Sequence, residues 1–155
     1  MIKLFMILLI LMFQPLVFAI DITLPNKPTA EESAFVATVE KAILSQDVNT
    51  LLSLDDFDYT DSNLQWAKKV MREFYQSTIS KGCLALKLER VDPNKETEYK
   101  DKFGASIKES LPVQWMLTIT HKPPFPGANV TTVLKAGNLN GKIRITHQVS
   151  VDDGA

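Results

Sequence analysis

Residues 130–149 read VTTVLKAGNLNGKIRITHQV, and the reading of Asn140-Gly141 inside them decides the fold. Both residue types accept the positive φ of a tight two-residue turn whose twist suits antiparallel strands, so the pair predicts a β-hairpin. The spacing predicts strands over 130–136 and 142–149. With Asn140 and Gly141 as the loop, Leu139 faces Lys142 and Leu134 faces His147. One face then carries Leu134, Ala136, Ile143, Ile145, His147 and Val149. The other carries Thr131, Val133, Lys135, Arg144 and Gln148. A slip of one residue would exchange the two sets.

Working outward, residues 113–121 form a neighbouring strand that adds Trp115, Leu117 and Ile119 to the apolar face and Gln114, Met116 and Thr118 to the other. The intervening Lys122-Pro123-Pro124-Phe125-Pro126-Gly127 cannot join a ladder, because proline has no amide hydrogen to give. Leu84, Leu86 and Leu88 alternate with Ala85, Lys87 and Glu89, again at strand spacing. Asp92-Pro93-Asn94 turns the chain. Residues 99–107 fit either period; a strand with Gly104 as a bulge is the expectation.

The first half has the other period. Thr29 followed by Glu32 is a capping box, and Phe35, Val39, Ala42 and Ile43 recur at helical spacing. Asp47 restarts a short helix whose Val48, Leu51, Leu52 and Leu54 require burial. From Asp61 or Ser62 a longer helix puts Leu64, Ala67, Val70, Met71, Phe74, Thr78 and Ile79 on one face, flanked by Trp66 and Tyr75, and Lys81-Gly82 ends it. The fold class is therefore α+β: N-terminal helices packed on one face of a curved antiparallel sheet of four to five strands.

Two stretches carry a family likeness. Residues 35–54, FVATVEKAILSQDVNTLLSL, resemble the opening helix pair of the nuclear-transport-factor-2-like superfamily, and residues 130–149 resemble its final hairpin. This superfamily has a cystatin-like cone and includes ketosteroid isomerase and the SnoaL-like proteins. The resemblance implies a pocket between sheet and helices and, in many members, dimerisation through the sheet. Exported relatives serve as assembly pieces of bacterial secretion systems. It implies no catalytic residue here, since no isomerase Asp or Tyr aligns onto a particular position, and such folds host enzymes and non-enzymes alike.

The N-terminus speaks for location. Lys3, the apolar run Leu4–Phe13, the break at Gln14-Pro15 and the small residues of Val17-Phe18-Ala19 have the three-part build of a secretory signal peptide. At 17 residues with that break, Leu4–Ile20 is short of the about 20 needed to span a bilayer. The expected organisation is a signal peptide over 1–19, an extended lead-in over 20–28 and a single α+β domain over 29–151, periplasmic or secreted after cleavage at Ala19. The whole chain has 155 residues, with 17 Lys+Arg against 18 Asp+Glu. That balance offers no electrostatic reason to bind nucleic acid. The lone Cys83 forms no disulfide framework, and its apolar surroundings predict a buried, inert thiol.

Candidate chemistry is sparse. No nucleophile elbow, zinc helix motif, phosphate-binding glycine loop or dinucleotide fingerprint occurs, and no cofactor or metal is expected. Asp55, Asp56, Asp58 and Asp61 lack the glycine and glutamate spacing of a calcium hand and read as a solvated helix-start cluster. His147 is the residue of most interest, an imidazole on an otherwise apolar face: a pocket acid/base, or a core histidine bonded to backbone. His121 lies at the far strand end, about four rungs of 3.3 Å away, too far to share a metal with it. Asn129-Val130-Thr131 is a formal glycosylation sequon.

Pocket candidates are His147, Trp115, Tyr75 and Tyr99. Two function classes follow. One is an exported non-catalytic domain binding a small apolar ligand or a protein partner. The other is a small isomerase- or hydrolase-like enzyme using His147 with Tyr75 or Tyr99. The missing motifs favour the first. A face holding Met116, Thr118, Thr131, Val133 and Gln148 suits a two-fold homodimer, and a hydrated monomer fits the same residues.

Overall fold

The computed structural model describes residues 19–92, 98–100, 106–128 and 130–150, with backbone alone at 98–100, 149 and 150. The signal-peptide reading, the Pro93-Asn94 turn, the Gly104 bulge, the Asn129 sequon and the C-terminal tail lie largely or wholly outside them.

Three helices precede the main run of strands. α1 (Ala30–Leu44) starts at Thr29 with both halves of the capping box formed, Thr29 N–H donating to Glu32 at 2.7 Å and Glu32 N–H to Thr29 Oγ1 at 3.1 Å. α2 (Val48–Leu52) is capped by Asp47, whose carboxylate accepts from the Asn49 and Thr50 amides. A 3-10 turn (Ser62–Leu64), capped by Asp61, leads into α3 (Gln65–Ser80). Gly82 follows with φ of 70°, the left-handed conformation that stops a helix at little cost in glycine.

The strands are β1 (Asp21–Thr23), β2 (Cys83–Arg90), β3 (Glu98–Lys100), β4 (Ser106–Glu109), β5 (Trp115–His121), β6 (Thr131–Leu139), β7 (Lys142–Ile145) and β8 (Gln148–Ser150). They form an open five-stranded sheet, order β1-β2-β5-β6-β7, and a three-stranded sheet, order β3-β4-β8. The large sheet is mixed rather than antiparallel throughout: β1, inside the extended lead-in, pairs parallel with β2, and the other ladders are antiparallel. Asn140 and Gly141 have φ of 53° and 80°, and Leu139 pairs with Lys142, as the hairpin register requires.

The core lies between the helices and one face of this sheet. Phe35, Val36, Val39 and Leu51 from the helices meet Leu86, Leu88, Leu117, Ile119, Ile143 and Ile145 from the strands. Each such buried side chain is worth about 1.5–3 kcal/mol over an exposed one. At one end Arg90 pairs with the enclosed Glu32 carboxylate at 2.6 Å, and Trp115 Nε1–H donates to it at 2.8 Å.

Three expectations need correction. Leu84 is exposed, because the β2–β5 register shifts between Cys83 and Ala85 and turns it off the core face. On α3 and the turn before it the expected face holds for Leu64, Ala67, Met71 and Ile79, which pack on the core, and for the buried Thr78. Val70 and Phe74 are instead exposed and the flanking Tyr75 is fully buried, because α3 packs against α2. The expected strand over 142–149 breaks after Ile145: Thr146 keeps one bond to β6, its amide donating to Lys135 O at 2.9 Å, His147 leaves the ladder, and β8 joins β4 in the other sheet. Leu134 therefore has no ladder partner in His147.

Candidate functional site

That break builds the site. Leu54–Asp56 runs alongside the end of β7, with Ile145 N–H donating to Leu54 O at 2.8 Å and Asp56 N–H to Ile145 O at 3.1 Å. The contact carries Asp55 and Asp56 against the residues that have just left the ladder. The solvated reading of this acidic cluster is overturned for both: their side chains are 0% and 4% exposed. Asp58 and Asp61 do stay at the surface, each accepting from the amide two residues on.

Asp55 is the hub. Tyr59 donates its hydroxyl to Asp55 Oδ2 at 2.6 Å, and the fully buried Tyr75 donates to Oδ1. Burial, reinforced by the neighbouring Asp55 carboxylate, pushes both phenols far above their ordinary range, so they remain donors. His147 Nε2 lies 3.4 Å from Asp55 Oδ1 and 3.8 Å from Asp56 Oδ1. These distances exceed a hydrogen bond, and Nε2 and Asp56 Oδ1 are enclosed polar atoms without a hydrogen-bond partner among the described residues. The His147 ring stacks on Phe57, centroids 4.6 Å apart and planes 20° apart.

Ser110 ties the parts together. Its hydroxyl donates to Asp56 Oδ2 and accepts from His147 N–H at 2.9 Å, and its own amide donates to His147 O at 2.7 Å. Burial raises the Asp56 carboxyl above the ordinary carboxylate range, against the opposing pull of the Ser110 bond and the nearby imidazole. Beside them Glu109 accepts from Lys135 Nζ at 2.6 Å and from Thr146 Oγ1 at 2.9 Å. Gly137 lets β6 pass close by: a Cβ there would lie 2.6 Å from Pro112 O and 2.7 Å from Leu111 Cβ.

Above His147 opens a cleft of about 500 Å³ between α3 and the β6–β7 end of the sheet. Phe57, Val70, Met71, Phe74 and Val133 supply apolar wall, Trp66 stands at the rim with 75% of its surface exposed, and His147, Glu109, Lys135 and Gln148 supply polar groups. The His147 side chain is 11% exposed, as part of that wall. Among the described residues no group of three or more His, Cys, Asp or Glu is placed to hold a metal ion.

The structure brings His147 and Tyr75 together around Asp55, with Tyr75 behind the carboxylate rather than in the cleft. Trp115 is apart from the cleft, bonded to Glu32. Tyr99 lies on β3, and its side chain is outside the described residues. His121 is buried, Nδ1 against Gly82 O at 3.1 Å and Nε2 against Thr132 Oγ1 at 2.7 Å. Cys83 is half-buried, its thiol pushed up to about 11 by burial. Asp55, Asp56, Tyr59, Glu109 and Ser110 were not marked by sequence reasoning as site residues. The one local signal for the acids is that they sit between apolar Leu54 and Phe57.

No protein-family model, no curated protein and no solved structure matches the chain. No helix among the described residues is long and apolar enough to cross a membrane.

Proposed function

We propose that the chain binds a small, mainly apolar molecule in the cleft and orients it through one polar group at His147. The observation that carries this reading is the pairing of an apolar cleft of ligand size with a partly exposed imidazole in its floor. The two tryptophans supply the assay. In a Trp115→Phe background, 2-naphthol should change Trp66 emission saturably. His147→Ala should weaken 2-naphthol more than naphthalene, which has no hydroxyl to lose. Absence of saturable binding by either probe would remove the reading.

The contact between His147 and Asp55 favours a second reading, in which the cleft performs proton transfer. A buried carboxylate beside one ring nitrogen orients an imidazole as a general base, and such contacts often tighten only with substrate bound. Deuterium exchange at the α-carbon of 2-tetralone in D2O separates the two: binding alone leaves the buffer rate, and a base accelerates it in a His147-dependent way. Kinship with the nuclear-transport-factor-2-like superfamily, and export through residues 1–19, belong to the same proposal. Their support is the order of helices before sheet, the Asn140-Gly141 hairpin and the charge-then-apolar N-terminus.

A further inference from the structure

α3 turns Tyr75 and Thr78 inward and leaves Trp66, Val70 and Phe74, four residues apart, 75%, 43% and 38% exposed. Residues at that spacing share one helix face. Such a stripe on the surface marks a contact surface more often than a bare one. Beside it lie Lys69 and Glu73, also exposed and four apart. Among the described residues neither has an ion-pair partner.

We propose that α3 is the contact surface of a two-fold dimer, with its partner a second copy of this chain in antiparallel orientation. The charges select that occupant. A second copy laid parallel sets Lys69 against Lys69 and Glu73 against Glu73. Turned about a two-fold axis centred between Val70 and Met71, it brings Lys69 level with Glu73 of the other copy, and Trp66 level with Phe74. Each match holds to within one residue's rise of about 1.5 Å. Two ion pairs then flank one apolar seam, and the arrangement closes on itself without further surface. Its seam is α3 itself and not the outer sheet face, whose Val133, Lys135 and Gln148 adjoin it across the cleft, with Lys135 engaged by Glu109 and Arg144 donating to Ser53 O. Trp66, Val70 and Phe74 are also rim and wall of the cleft, so the second copy would lie over its mouth and compete with a ligand there.

Sedimentation equilibrium of the full chain at micromolar concentration tests it. The expected result is a reversible dimer. Val70→Asp should give monomer with unchanged circular dichroism and melting temperature, since Val70 contributes little to the core. Lys69→Glu alone and Glu73→Lys alone should each weaken association about tenfold, and the double reversal K69E/E73K should restore it. A mass of one chain across the dilution range would overturn the proposal. So would a dimer indifferent to Val70→Asp, or one that the double reversal fails to restore. Binding to phosphatidylglycerol vesicles by a chain that stays monomeric would also overturn it.

Discussion

Tyr75→Phe removes one hydroxyl and nothing else from a fully buried ring. That hydroxyl donates to Asp55 Oδ1, and the Asp55 side chain has no exposed surface from which water could replace it. Tyr59 remains on the other oxygen at 2.6 Å, so the carboxylate is left half-served rather than bare. A hydrogen bond to an ionised group contributes about 1.5–3 kcal/mol, and a neutral one about 0.5–1.5 kcal/mol. The variant should therefore lose about 1.5–3 kcal/mol in urea unfolding at pH 7. A domain of this size loses about 3–4 °C of melting temperature per kcal/mol, a shift of about 5–12 °C. Repeating the change in an Asp55→Asn background isolates the charge, because the acceptor is then a neutral amide. There the loss should fall to about 0.5–1.5 kcal/mol, and the difference is the coupling between hydroxyl and charge. A Tyr75→Phe cost below about 0.5 kcal/mol, or an equal cost in both backgrounds, would refute Asp55 as a buried carboxylate held by its two tyrosines.

Asp56→Asn should raise stability at neutral pH. Burial lifts the Asp56 carboxyl above its ordinary value of 3.8, so the folded chain holds that proton more tightly than the unfolded chain. Stability then falls as pH rises through the raised value, and the variant's advantage should open above about pH 4 and vanish below it; urea midpoints across that range measure it. Glu32→Gln should act in the opposite sense. The Arg90 guanidinium, aided by Thr29 and Trp115, lowers Glu32 from 4.5 to about 2. The stability it contributes is present at neutral pH and is lost as pH falls from 4.5 toward 2, so the variant should be less stable at pH 7 and show a flatter acid limb. Gly137→Ala should cost about 1–3 kcal/mol in the same assay, because the new methyl would meet the Pro112 carbonyl and Leu111 Cβ below contact distance.

What the sequence determined by itself rests on short-range physics. Thr29 with Glu32, Asp47 and Asp61 announce helix starts because a side-chain oxygen within three residues satisfies a free amide. Asn140-Gly141 announces the hairpin because the two residues accept positive φ. Alternation along β5 and β6 then identified Leu117, Ile119, Leu134 and Ala136 as core, and the α+β class followed. The site did not follow, because its parts meet only through packing. Asp55 and Ile145 are 90 positions apart, and their bridge exists because α2 delivers Leu54 to the edge of β7. An acidic run reads as solvated until that contact encloses it. The same holds for α3: periodicity marked an apolar face, but the choice of Tyr75 over Phe74 as the buried aromatic came from the rotation that lets its hydroxyl reach Asp55. Local patterns name the elements; burial of a charge, the exit of His147 from the ladder and the register shift at Leu84 are set by which surfaces the assembled elements press together.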